Sequence, residues 1–182
     1  MKILSIAVPC YNSQDYMEHC VETLLTGGEK VEIIIVNDGS KDDTAAIADR
    51  LAEKYPTIVK AVHQENGGHG EAVNTGIKNA TGVFFKVVDS DDWVGEEALS
   101  TLLEKLEMFS NSGEDAVNVP DLVLCNYIYD KVGVKHKKVI NYKGYLPLNR
   151  TFTWQDVKKM PPGKYMTMHA CVYRTEVLRE SQ

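Results

Sequence analysis

Hydrophobic and polar residues alternate with two different periods along the first 90 residues. Four short apolar runs, at residues 3–8, 31–36, 57–62 and 83–88, predict β-strands. Between them, apolar residues recur at helical spacing, and the first such set, from Met17 to Leu25, ends at two glycines. Strands that alternate with helices are typical of βαβ units, so the pattern predicts an α/β protein with a mostly parallel sheet.

The second half of the chain shows a weaker pattern. A leucine stripe between Leu99 and Phe109 predicts a helix, and residues 110–115 predict a polar loop. Residues 122–129, 134–140 and 168–173 predict strands, and residues 154–160 predict a short helix. Another helix opens at Thr175 just before the last residue, Gln182, so we expect the sequence to be part of a longer protein.

Composition excludes several classes of protein. The 182 residues are 43% hydrophobic and 25% charged, which is typical of one soluble globular domain. No apolar run approaches the ~18 residues that a membrane-spanning helix needs, and the N-terminus lacks the pattern of a signal peptide. The four cysteines have no CxxC spacing, which predicts reduced thiols and a cytoplasmic protein.

Charge is distributed unevenly along the chain. The net charge of -6 argues against a nucleic-acid-binding protein. Residues 1–120 contain 9 Lys and Arg against 21 Asp and Glu, whereas residues 121–182 contain 11 against 5. The basic second part fits either a solvated face or a surface for an anionic acceptor or a membrane, and peripheral membrane association would follow from the second interpretation.

Polar clusters follow the four predicted strands, at residues 9–12, 37–40, 64–70 and 89–92. Ligands of open α/β sheets bind at the carboxyl ends of the strands, so these clusters predict one binding edge. The clusters match neither the GxGxxG dinucleotide fingerprint nor a P-loop. An EF-hand that started at Asp89 would need glycine and glutamate where Val94 and Ser100 stand.

Asp89 and Asp91 form a DxD pair at the end of the fourth predicted strand. Carboxylates this close repel each other unless a cation or hydrogen bonds relieve them. Mg²⁺ or Mn²⁺ prefers oxygen ligands and shares phosphate oxygens, so a divalent cation would join an anionic diphosphate to this acidic edge. A DxD pair alone is also typical of turns and helix starts, and both interpretations stay open.

Five segments together resemble the family 2 glycosyltransferases, which have the GT-A fold. They are SIAVPCYN at residues 5–12, IIVNDGSKD at 34–42, NGGHG at 66–70 with NTG at 74–76, ATG at 80–82 and VDSDDW at 88–93. The resemblance implies a Rossmann-like, mostly parallel sheet flanked by helices, with a smaller mixed β part in the second half. It also implies one domain over residues 1–182, in which residues 1–95 bind a nucleotide sugar and residues 96–182 begin an acceptor-side half that is incomplete at its C-terminus.

The function implied by the resemblance is inverting transfer of a sugar from a nucleotide-diphosphate donor, with a UDP-sugar expected, to a hydroxyl acceptor. A saccharide or lipid-linked acceptor, cell-surface polysaccharide or glycolipid synthesis and a place at the inner face of the membrane follow from the same resemblance. Two alternatives stay open. One is a nucleotide-sugar-binding module without transferase activity, and the other is a metal-dependent nucleotidyltransferase, which would prefer a nucleoside triphosphate.

Roles for residues at the first three strand ends also follow from the resemblance. Pro9 and Tyr11 would line the nucleoside, and Asp38 would accept a hydrogen bond from the uracil N3–H. Asn66 and Gly68 would lie near the base or the diphosphate.

At the fourth strand end, the resemblance places Asp89 at the ribose or the metal, Ser90 at the donor and Asp91 on the divalent cation. Asp92 is expected to start the next helix. His169, expected within the last strand, would contact the acceptor or the metal, since imidazole can do either.

Two features depart from the family pattern. Val73 stands where many relatives have an arginine, so the charge of the donor must be met elsewhere. The catalytic base of the family is an acidic residue in the second half, and we expect it beyond Gln182, because Asp130 and Asp156 look like loop or cap residues.

Overall fold

The computed structural model describes residues 1–111, 119–130, 137–162 and 165–181. The strands are β1 (Leu4–Cys10), β2 (Val31–Asp38), β3 (Val59–Gln64), β4 (Phe84–Val87), β5 (Leu122–Leu124), β6 (Tyr127–Tyr129), β7 (Lys138–Ile140) and β8 (Cys171–Arg174). The helices are α1 (Met17–Leu25), α2 (Thr44–Lys54), α3 (His69–Asn79), α4 (Glu96–Ser110) and α5 (Thr175–Glu180). Among these, no helix has the length and apolar character needed to cross a membrane.

Six strands form one sheet in the order β3-β2-β1-β4-β8-β5, and β6 and β7 form a separate antiparallel pair. Strands β1 to β4 are parallel, whereas β8 runs antiparallel to both of its neighbours, β4 and β5. The prediction of a mostly parallel sheet flanked by helices, with a smaller mixed β part, is confirmed. The antiparallel strand β8 places a late segment of the chain beside β4, which leads into the DxD pair.

Both faces of the large sheet are covered, which explains the continuous apolar runs of its central strands. Every residue of β1 is buried, and its side chains alternate between two clusters. Ile6 and Val8 pack in the cluster that includes α1, α2 and α4, whereas Ala7 packs with α3 on the other face. Helix α3 lies close to β1, because a Cβ atom at Gly76 would come within 2.5 Å of Ala7 Cβ.

Helix α5 is hydrogen-bonded to the segment just before β4. This segment lies at the amino ends of the parallel strands, opposite to the polar clusters. The backbone N–H of Thr175 donates to the Val83 carbonyl (2.9 Å), and its hydroxyl donates to the Gly82 carbonyl (2.7 Å). The Arg179 guanidinium donates to the Ala80 carbonyl (2.6 Å), just after the last residue of α3. Hydrogen bonds of this kind satisfy carbonyls that a helix end leaves without intrahelical partners.

The predicted strand at 122–129 is wrong as a single element. It is divided into β5, which pairs with β8, and β6, which pairs with β7 in the other sheet. The chain leaves the large sheet at Cys125, whose backbone N–H still donates to the Ala170 carbonyl (2.7 Å). The predicted strand at 134–140 is represented by β7, and residues 134–136 lie outside the described residues, as do residues 112–115 of the predicted polar loop.

Two other predicted elements are shorter than expected. The helix predicted at 154–160 is a single 3₁₀ turn, Trp154–Asp156, with a capping box between Thr153 and Asp156. Pro161 and Pro162 follow it, and proline disfavours helical backbone in the residue before it. The last strand begins at Cys171 rather than at 168, because Met168–Ala170 form another 3₁₀ turn. His169 therefore lies in this turn and not in a strand.

Candidate functional site

The loops after β1, β2 and β4 contact one another at the carboxyl edge of the sheet. The backbone N–H of Asn12 donates to Ser40 Oγ (3.0 Å), and that of Lys41 donates to Asn12 Oδ1 (2.9 Å). Ser13 Oγ lies 2.9 Å from Ser90 Oγ, which joins the loops after β1 and β4. The predicted polar clusters therefore come together, as the parallel topology requires.

Asp38, the last residue of β2, holds the glycine-rich loop that precedes α3. Its Oδ1 accepts hydrogen bonds from Gln64 Nε2 (2.7 Å) and from the Gly67 N–H (2.8 Å), and its Oδ2 accepts one from the Gly68 N–H (2.8 Å). Asn66 Nδ2 donates to the backbone carbonyl of Asp38 (3.0 Å). The side chain that was expected to contact uracil thus also fixes the loop beside it.

Asp38 is only 2% exposed as a residue, yet its carboxyl group favours the ionised form. Burial acts to raise its pKa, but the hydrogen bonds from Gly67, Gln64 and Gly68 outweigh burial and lower the pKa of Asp38 below its usual range. A buried carboxylate in this state stabilises the loop through charge-assisted hydrogen bonds.

A second layer of side chains supports the turn that carries Asp38. Asn37 Oδ1 accepts a hydrogen bond from the Ser40 N–H (3.1 Å), and Asn37 Nδ2 lies 3.1 Å from His63 Nδ1. The other ring nitrogen of His63 is 3.0 Å from Asp49 Oδ1 on α2. No local pattern in the sequence indicates this chain of contacts. His63 lies beside Asn37 only because β2 pairs with β3.

Two acids and a histidine meet at the end of β4. The carboxylates of Asp89 and Asp92 and the imidazole of His169 place one ligand atom each within 4.8 Å of the others. His169 Nδ1 is 3.7 Å from Asp89 Oδ2 and 3.6 Å from Asp92 Oδ2, too far for hydrogen bonds. This Nδ1 is buried, and no hydrogen-bond partner for it exists among the described residues.

Asp92 is an acid whose charged form is disfavoured by its surroundings. Burial raises the pKa of Asp92, and repulsion from Asp89 and Asp91 adds to the increase, while His169 opposes it. The expectation that Asp92 starts the next helix is wrong, because α4 begins at Glu96 after Gly95 as its N-cap. Asp92 belongs instead to the acidic group.

A second histidine contacts the same acidic group from α3. His69 Nε2 lies 2.9 Å from Asp89 Oδ1, and His69 is the first residue of that helix. Asp89 is therefore flanked by two imidazoles, one on each carboxylate oxygen. Since Val73 offers no charge, His69 is a second basic side chain at this edge.

The other predicted site residues lie at or near the same edge. Pro9 is buried in β1, and Tyr11 just beyond it is 50% exposed. Asn66, Gly68 and Asp91 are exposed, and the Asp91 carboxylate forms no hydrogen bond or ion pair with the described residues. Asp89 thus belongs to the acidic group, and the predicted role of Asp91 on the cation stays a prediction.

Lys86 was not assigned a role from the sequence. It lies in β4 with 8% of its surface exposed, and its Nζ donates to the backbone carbonyl of His169 (2.6 Å). Burial lowers the pKa of Lys86. A lysine within the apolar run 83–88 was the available signal, but its partner is 83 residues away in sequence.

Comparison with known proteins places the chain in a family. A sequence model described as "Glycosyl transferase family 2" matches residues 5–181. The chain belongs to this family. Among its relatives in the family, EpsH from Bacillus subtilis is 38% identical over 125 residues, which are 68% of this chain and 33% of EpsH. The glycosyltransferase GlyG from Streptococcus pneumoniae is 38% identical over 133 residues, which are 71% of this chain and 41% of GlyG.

Solved structures share the fold of this chain. TarS from S. aureus, in a crystal structure of its residues 1–349, matches the whole chain with a TM-score of 0.66 at 25% identity, over 49% of the TarS chain. TarS has also been solved in complex with UDP and with UDP-GlcNAc. The present chain therefore spans between one third and one half of these relatives.

Proposed function

We propose that residues 1–182 are the donor-binding part of an inverting glycosyltransferase that uses a nucleotide-diphosphate sugar and a divalent cation. The observation that carries the proposal is the convergence of Asp89, Asp92 and His169 at the edge where Asp38 holds the glycine-rich loop. In this division, residues 1–95 bind the nucleotide sugar and residues 96–182 begin the acceptor side.

The acidic group fits a Mg²⁺ or Mn²⁺ ion. Two ligand atoms that each lie about 2.1 Å from one ion are about 3 Å apart at right angles and about 4 Å apart across the ion. The separations of 3.6 and 3.7 Å from His169 Nδ1 to the two carboxylates lie between these two values, so side-chain movements of less than about 1 Å would bring the ligands to right angles around an ion. A bound cation would neutralise the diphosphate and stabilise its charge as it leaves the sugar. We propose exposed Asp91 as a further ligand beside this group.

A nucleotide site beside the metal is supported by the state of Asp38. Its Oδ2 accepts one hydrogen bond from the described residues, so this oxygen retains a lone pair for the uracil N3–H. Pro9 and Tyr11 would form the wall of the base site, and Asn66, Gly68 and Ser90 would lie along the donor. UDP is the first nucleotide to test, because TarS is solved with UDP bound.

Sugar transfer with inversion needs a base that deprotonates the acceptor hydroxyl as it attacks the anomeric carbon. We assign this base to none of the described residues. We propose a saccharide or lipid-linked acceptor, used in cell-surface polysaccharide or glycolipid synthesis at the inner face of the membrane. The basic character of residues 121–182 supports an anionic partner surface, and sedimentation with anionic vesicles checks the membrane part.

Thermal unfolding with UDP, GDP, dTDP or ATP, each with Mn²⁺ or EDTA, tests the proposed site. A ligand at 100 times its Kd stabilises the fold by about 2.7 kcal/mol, which shifts the Tm by about 5 to 10 °C for this chain length. We expect the largest shift with UDP and Mn²⁺. Asp92→Asn should remove the dependence on Mn²⁺, whereas Asp15→Asn, an exposed acid before α1, should keep it.

Three results would contradict the proposal. A larger shift with ATP than with UDP favours a nucleotidyltransferase. Equal shifts of the Tm by UDP with Mn²⁺ and with EDTA would show that nucleotide binding needs no cation. Binding of a UDP-sugar without transfer by the longer protein, across saccharide acceptors, favours a binding module.

A further inference from the structure

A buried lysine, Lys86, lies in the strand that leads into the acidic group. Lys86 is three residues before Asp89 in the chain, and 8% of its surface is exposed. Removing an ammonium group from water is costly unless it is paired with a good acceptor. The acceptor is the His169 carbonyl at 2.6 Å, so the ammonium group makes a short charge-assisted hydrogen bond.

This hydrogen bond joins the two chain segments that build the acidic group. Lys86 belongs to β4, which leads into Asp89 and Asp92, whereas His169 belongs to the 3₁₀ turn before β8. The ladder between the two strands ends with the pair Phe85 and Tyr173. Beyond that pair, the Lys86 side chain joins β4 to the turn through its hydrogen bond to the His169 carbonyl.

We propose that Lys86 is a positioning residue for metal binding, which acts through the backbone of His169. Through its hydrogen bond to this carbonyl, Lys86 fixes the position of the 3₁₀ turn relative to β4. It thereby keeps His169 Nδ1 about equally far from Asp89 and Asp92. The inference rests on the proposed function, because it assumes that these three side chains bind a cation. Groups that orient metal ligands typically change metal affinity by roughly 10- to 100-fold when they are removed.

The charge of Lys86 predicts the opposite effect. A positive charge this close to a metal site repels the metal, so its removal alone would tighten binding of Mn²⁺. Positioning predicts weaker binding when the hydrogen bond is removed. The direction of the change in Mn²⁺ affinity therefore separates the two effects.

The test measures the Kd for Mn²⁺ by electron paramagnetic resonance, with the full chain and no nucleotide. We expect Lys86→Met to raise the Kd by roughly 10-fold or more. Lys86→Arg, which keeps a charged donor of similar reach, should stay near the wild-type Kd. Lys105→Met, a matched change at an exposed lysine of α4, should have no effect. An unchanged or lower Kd for Lys86→Met overturns the inference.

A double-mutant cycle tests whether the effect passes through His169. In a His169→Ala background, Lys86→Met should weaken Mn²⁺ binding no further, because the ligand it positions is gone, and loss of the lysine charge should leave the Kd unchanged or lower it. If Lys86→Met raises the Kd in this background by the same factor as in the wild-type background, the inference is overturned. Weaker Mn²⁺ binding by His169→Ala alone would still support the proposed metal site. The two proposals therefore fail separately.

Metal-free NMR gives a readout that does not depend on the proposed metal. Lys86→Met should shift the ring signals of His169 much more than those of His19, which lies on α1 with its ring centroid 5.7 Å from that of Trp93. Unshifted His169 signals in a folded variant contradict positioning. If Lys86→Met does not fold, Lys86→Leu replaces it, because leucine also removes both the charge and the hydrogen-bond donor.

Discussion

At the scale of single residues, Asp38 shows how one side chain serves both the fold and the site. Its carboxylate accepts one hydrogen bond from Gln64 at the end of β3 and two from the loop that precedes α3, and these bonds favour the ionised form. A carboxyl whose pKa is lowered by folding stabilises the protein above the pKa of the unfolded chain, near 3.9 for Asp, and loses this contribution as the pH falls through the folded pKa.

Asp38→Asn should therefore make the free energy of unfolding less dependent on pH in the acidic range. Between about pH 6 and about pH 3, the free energy of unfolding of the wild type should fall more steeply than that of the variant. At neutral pH the variant should be less stable by about 1 to 3 kcal/mol, because an amide cannot satisfy all the same donors. Urea denaturation at both pH values measures the two slopes, and parallel curves would assign the low pKa no role in stability.

At the scale of elements, the close approach of α3 to β1 sets a limit on side-chain size. Alanine is favoured over glycine inside a helix by about 1 kcal/mol, yet a Cβ at Gly76 would meet Ala7 Cβ at 2.5 Å. Gly70 in the same helix has no atom within 4 Å of the same position. The two glycines therefore separate helix propensity from packing.

Gly76→Ala should lower the free energy of unfolding, by about 1 to 3 kcal/mol, because overpacking outweighs propensity. Gly70→Ala should leave it unchanged or raise it by up to about 1 kcal/mol. Midpoints of urea denaturation give both values. A stabilised Gly76→Ala variant would mean that α3 moves away from the sheet at little cost.

The elements also show how far sequence alone reaches. Strands β1 and β2 were predicted because burial on both faces leaves a continuous apolar run, a local signal. Strands β5 and β6 have three residues each, and only their different partners separate them, so no local pattern marks the break at Cys125. The site divides in the same way: the motif predicted Asp89, whereas Lys86 and the place of His169 depend on β8 pairing with β4.

At the scale of the whole molecule, the candidate site is assembled from segments far apart in the chain. The glycine-rich loop is held by Asp38, while the 3₁₀ turn at Met168–Ala170 is held by Lys86. Both segments contact Asp89, through His69 and His169. A ligand that binds the acidic group should therefore rigidify two regions about 100 residues apart.

Hydrogen exchange followed by mass spectrometry measures this coupling. With UDP and Mn²⁺, amide exchange should slow both at residues 66–70 and at residues 167–171, because bound ligands suppress local opening. UDP with EDTA should protect the first region much more than the second. Protection confined to residues 66–70 under both conditions would mean that the turn bearing His169 is not part of the cation site.

The anchoring of α5 has a practical consequence for anyone shortening this protein. Thr175 and Arg179 occupy carbonyls at Gly82 and Ala80, on the stretch between α3 and β4. A boundary drawn at the end of β8 would leave those acceptors unpaired and uncover the side of α3 against which Leu178 packs. A shortened version of the protein that keeps the packing of α3 therefore has to retain residues 175–180, which form α5.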